Sequence, residues 1–149
     1  MSDSELMTAF EAGTLDAGRF HHRDHMRLAW LHLRRHPAPV ALLRFTSGLR
    51  RLAEAAGKAD RYHETVTWAY LLLINERMER SGRARPWTEF ARLNPELLAW
   101  RPSILDAYYP AEVLDSDLAR RVFVLPKPSP FPEEGIAPPP LPRQGERVG

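Results

Sequence analysis

The chain has 149 residues, a formal net charge of +2 and no cysteine. This length sets an expectation of one domain, and the missing thiols exclude disulfides, thiolate ligands and a cysteine nucleophile. Nineteen arginines against two lysines resemble the bias of a GC-rich bacterial genome, and because acids interleave with these bases, no nucleic-acid partner is expected.

The opening "MSDSELMTAF" is acidic and lacks the basic-then-apolar layout of a signal peptide. Leu6 and Phe10, four apart, predict a first short helix from about Ser4 to Ala12, stopped by Gly13. The next stretch, "RFHHRDHMRLAW" at 19–30, puts three of the chain's six histidines into five positions. It opens a second helix at or just after His22 that ends before Pro37, with Met26, Ala29, Trp30 and Leu33 as its apolar stripe. A third helix runs from the Pro37–Pro39 connection to about Ala56, carrying Val40, Leu43, Leu49 and Leu52, with Gly57 after it.

A fourth helix is expected to start after Asp60, read as its N-cap, and to continue to about Arg80 as the most buried helix of the fold. Its run "AYLLLI" is far too short to cross a bilayer, so no membrane partner is expected and the cytoplasm is the expected location. From 86 onward the elements shorten. "PWTEFARLNPELLAW" reads as a helix broken at Asn94–Pro95, and "PSILDAYY" and "PAEVLDSDLARRVFVL" as further short helices. The one alternating stretch, "RVFVL" at 121–125, is too lonely to build a sheet. The reading is all-α: a single helical-bundle domain over 1–125, with four main helices and short C-terminal ones. A Pro-rich tail over 126–149, holding more than half of the 14 prolines, is expected to be disordered or laid on the surface.

Short links make consecutive helices antiparallel neighbours, so the second and fourth run parallel and begin at one end of the bundle. His22 and His25 begin one, and His63 and Glu64, from "RYHETVTWAY", begin the other. Helix starts disfavour imidazolium, and a neutral imidazole is what a metal ligand or general base requires. His22 and His25 share a face, His63 would add a third nitrogen, and Glu64 or Asp24 an oxygen. Such a set suits a divalent transition metal, zinc or iron first.

Each histidine also has a bland reading, as a helix-start residue that caps backbone N–H groups. His21 lies off the shared face and reads as a spectator. His32 and His36 lie ~10–16 Å along the axis and read as surface or packing residues. Thr65 and Thr67 can bond back to helix carbonyls, or Thr67 can orient His63. Trp100, Tyr108 and Tyr109 read as packing aromatics or as a lid over the bundle end. "PPPLPR" resembles a ligand of proline-recognising modules, although compositional bias explains it.

With "FHHRDHMRLAW", "YHETVTWAY" and "PSILDAYY" together, residues 20–125 resemble a family of small, uncharacterised bacterial helical proteins. The resemblance implies a helical fold and no particular activity. The bundle end is also similar to that of helical metal proteins in which three histidines hold one ion, although the spacing departs from theirs.

Two expectations follow. The first is a small metal-dependent enzyme acting on a small molecule, with His22, His25 and His63 as ligands and Glu64 as general base or fourth ligand. Its chemistry would be hydrolytic or lyase-type with zinc and oxidative with iron or copper, and a metal-free variant keeps the same residues as acid–base catalysts. The second is a non-enzymatic helical module that binds through its aromatic C-terminal half and Pro-rich tail. A homodimer is compatible with either.

Overall fold

Helix ends are written locally in this chain. In the computed structural model, which describes residues 1–127, Ser2 caps α1 (Asp3–Ala12) through its side-chain oxygen, and Gly13 closes it in the left-handed region at φ 71°. α2 (His22–Arg35) follows a 3-10 turn at Ala17–Arg19, and the Asp24 carboxylate accepts from the His21 N–H to close its first turn. α3 (Ala38–Ala55) starts with Pro39 in its first turn, where the absent N–H has no intrahelical partner to lose.

A 3-10 turn at Ala59–Arg61 leads into α4 (Glu64–Ser81). The expected cap, Asp60, lies outside that helix. His63 takes the position instead, its Nδ1 accepting from the Val66 N–H at 3.1 Å. Beyond α4 come α5 (Trp87–Leu93) and α6 (Pro95–Leu98), divided at Asn94, then a 3-10 turn at Ile104–Ala107, α7 (Ala111–Leu114) and α8 (Asp117–Arg121). No strand occurs among the described residues, and the fold is an all-α bundle. Most of the expected tail, 128–149, lies outside the described residues.

α2, α3 and α4 pack against one another, while α1 and α6 close on α2 and α8 on α4. α2, not α4, is the most buried: seven of its 14 residues are buried against eight of 18 in α4. The core includes Trp30, Phe45, Phe90, Leu71 and Ile74, and burying a side chain of this size contributes about 1.5–3 kcal/mol. α1 seats its Phe10 ring on Gly48 of α3, where an added Cβ would come within 2.3 Å of the ring.

From Val122 the lonely stretch leaves α8 and pairs with no strand among the described residues. It is tied to α4 instead: the Thr65 hydroxyl donates to the Val122 carbonyl at 2.8 Å and accepts from the Val124 N–H at 3.0 Å, and Phe123 stacks on Trp68 at 5.0 Å. No helix among the described residues is long and apolar enough to cross a membrane.

Candidate functional site

A cavity of about 790 Å³ opens where the starts of α2 and α4 meet the end of α3. This is within the size range of small-molecule sites, roughly 300–1,000 Å³. Its walls are mostly apolar, with Met26, Phe45, Leu49, Leu52 and Val66 among them, and Trp100 at one side. His21, His22, His25 and His63 all line it. The folding rule that puts two parallel helix starts at one end of the bundle therefore brings the three candidate ligands into one chamber.

Their nitrogens are differently employed. The His63 Nδ1 accepts from Val66, so the ring proton sits on Nε2, which donates to the Leu114 carbonyl at 2.7 Å. Neither nitrogen is left for a metal. The His22 Nε2 donates to the Leu97 carbonyl at 2.8 Å, leaving Nδ1 open, and its ring lies between Tyr70 at 4.9 Å and Trp100 at 5.1 Å. Burial lowers the His22 pKa.

His25 differs from both. Its half-buried ring rests on Phe20 at 4.3 Å and makes no hydrogen bond among the described residues. No buried side-chain polar atom of the described residues lacks a partner, so the nitrogens of His25 are not sealed in the core, and the residue lines the cavity. Burial, with His22 beside it, lowers the His25 pKa from 6.5 to about 4 against a smaller opposing pull from Asp24. At neutral pH it is an uncharged imidazole able to donate from one nitrogen and accept at the other.

Glu64 is not in the cavity wall. Its Oε1 accepts from the Tyr62 hydroxyl at 2.7 Å and from the Trp68 indole at 2.9 Å, and its other oxygen from Arg50, whose guanidinium lies over the Tyr62 ring at 4.9 Å. The Glu64 carboxylate is thus held by three donors and is not brought together with the histidines that line the cavity. Asp24 spends an oxygen on the His21 backbone. Among the described residues no group of three or more His, Asp or Glu side chains is disposed to hold a metal ion. Of the donor set that sequence spacing suggested, the three histidines share a chamber and the two carboxylates do not line it.

The remaining candidates divide as follows. His32 is a core residue, 1% exposed, whose Nδ1 donates to the Leu28 carbonyl at 2.7 Å and whose ring is wedged between Phe10 and Phe45. His36 ends α2. The Thr67 hydroxyl donates to the His63 carbonyl at 2.7 Å and so bonds back to the helix without touching the imidazole. Trp100 is 56% exposed at the cavity, the lid-like alternative for this residue, whereas Tyr109 is buried with its hydroxyl on the Val124 carbonyl and Tyr108 faces outward. Sequence reasoning passed over Lys58 and Arg61, which also line the cavity. The one available signal was that Lys58 is one of only two lysines in the chain and lies five residues before His63.

Comparison with family models, with curated proteins and with solved structures gives no match. The geometry of the cavity carries the functional reading by itself.

Proposed function

We propose that the cavity receives a small, largely apolar molecule and that His25 is its polar contact, accepting a hydrogen bond or a proton from it without a metal. The observation that carries this is a neutral imidazole, both nitrogens unbonded to protein, bordering an apolar chamber of about 790 Å³. A few polar groups in an otherwise apolar pocket are what orient a ligand, and perturbed titratable groups in cavities mark functional sites more often than chance. Proton transfer would suit a ligand with an acidic O–H or C–H, whose bound conjugate base would raise the imidazole's pKa toward the working range.

The test uses 2-naphthol, an apolar bicycle with one hydroxyl, against naphthalene, followed by NMR. We expect shifts at the His25 ring and at the Met26 and Val66 methyl groups, with 2-naphthol binding several-fold tighter, as one net hydrogen bond of about 1 kcal/mol implies. His25→Leu should erase the difference. Equal affinities in the native protein would remove His25 from the reading.

A metal-dependent enzyme is the second reading, favoured by the shared chamber of His22, His25 and His63. It requires the His63 Nδ1 to give up the Val66 N–H, while Nε2 can keep donating to Leu114. We expect no stoichiometric zinc or iron in protein purified without a polyhistidine tag, and near-stoichiometric metal would restore this reading in place of the first. A cytoplasmic location belongs to either proposal.

A further inference from the structure

The occupant can be narrowed by the charges around the cavity, a step that rests on reading the cavity as a small-molecule site. Its lining holds two permanent cations, Lys58 and Arg61, and no carboxylate. Among the described residues ten arginines pair with carboxylates, Arg27 with Asp3 and Arg50 with Glu64 among them, while others, such as Arg23 and Arg44, do not. Lys58 and Arg61 have no such partner among the described residues. Both are exposed on the connection between α3 and α4, which places them at the mouth and not in the depth. Asp60, beside Arg61 on the same turn, is exposed and does not line the cavity, and Asp24 and Glu64 are occupied by the His21 backbone and by Arg50.

The backbone adds to the same sign. α2 and α4, of 14 and 18 residues, both begin at this cavity, and helix starts carry partial positive charge. A neutral apolar ligand would have no use for two unpaired cations at the entrance, and a cationic one would be repelled by them. We infer that the ligand is an anionic amphiphile, with an apolar chain or ring among Met26, Leu49 and Val66 and, besides the polar group that meets His25, a negatively charged head group at Lys58 and Arg61.

Three probes of equal chain length separate the possibilities: decanoate, 1-decanol and decyltrimethylammonium, each titrated calorimetrically below its aggregation concentration at pH 7.5. Decanoate should bind about tenfold tighter than decanol, the scale of one charge-assisted contact, with the cation weakest. Added salt should erode the decanoate advantage and leave decanol unchanged. In Lys58→Gln/Arg61→Gln, decanoate should fall to the decanol level while decanol is unaffected. Competition between decanoate and 2-naphthol places both in one cavity without any substitution, and Ala53→Trp, which fills the wall from α3, should weaken all three probes. Equal binding of decanoate and decanol, or preference for the cation, would overturn the anionic inference and leave the cavity reading standing. Failure of every probe, 2-naphthol included, would overturn both.

Discussion

His63 and Glu64 are neighbours in sequence, yet they face different environments. One residue of helix turns a side chain by ~100°, so neighbours cannot share a face. His63, at the cap, lines the cavity, while Glu64, at the first helical position, points toward Arg50 on α3. Its carboxylate ties α3 to α4 and holds the Tyr62 ring that forms part of the cavity wall. Glu64→Ala should therefore act on stability before binding. It strands the Tyr62 hydroxyl and the Trp68 indole, and the expected loss is about 1–3 kcal/mol. Chemical denaturation beside a 2-naphthol titration checks this. If Glu64→Ala kept full stability and lost binding, the carboxylate would belong to the site after all. At His25 an NMR titration should give a midpoint near 4, as burial dictates. A midpoint at or above 6.5 would mean that the ring is solvated and the chamber open to water.

At the scale of elements, the clear signals in the sequence were those that act locally. Gly13 ends α1, Pro39 opens α3 and Asn94–Pro95 divides α5 from α6, each through backbone chemistry confined to one turn. The meeting of the α2 and α4 starts was legible too, because short links leave antiparallel neighbours as the simplest arrangement. What escaped was set by distant partners. His63 as a cap depends on the Val66 N–H donating to its Nδ1 and on the Leu114 carbonyl arriving from 51 residues away to accept from its Nε2. The run 122–125 resembled a strand in pattern, but its backbone partner is a side chain, Thr65, buried on α4. That threonine gives a prediction. Thr65→Val keeps the shape and removes both the donor to Val122 and the acceptor for Val124. We expect a loss of about 1–2 kcal/mol and faster amide exchange at Val124, with the α2–α3 contact unaffected. Unchanged exchange at Val124 would show that the Phe123–Trp68 stack alone holds the segment.

For the molecule as a whole, three buried or half-buried imidazoles make stability depend on pH. His22, His25 and His32 all have lowered pKa values, with burial the leading cause in each. His25 is further opposed by His22 and helped by Asp24. His32 gains from its Leu28 hydrogen bond and Glu11 and loses to His36 and Arg35, yet its net direction stays downward. A depressed folded pKa means that the unfolded chain takes up the proton first. The folded state therefore has its full stability above 6.5, the unfolded value, and loses it as pH falls toward the folded values. Each imidazole kept neutral costs up to about 1.4 kcal/mol per pH unit in that window, so His25 alone can cost up to about 2 kcal/mol between pH 6.5 and 5. Glu96, held below its usual range chiefly by its hydrogen bond from Arg77, acts in the same direction but only as pH falls below about 4.5, its ordinary value. The interval from 6.5 to 5 is thus specific to the histidines. Urea unfolding at pH 7.5 and pH 5 should show the loss, and His25→Gln, which cannot take up a proton in either state, should flatten it by the share belonging to His25. The anionic amphiphile inferred for the cavity should offset part of the loss at pH 5, since a negative head group at the same chamber favours a protonated His25. Equal stability at the two pH values in the free protein would mean that these rings are as hydrated when folded as when unfolded, and the chamber they line would then be no place for an apolar ligand.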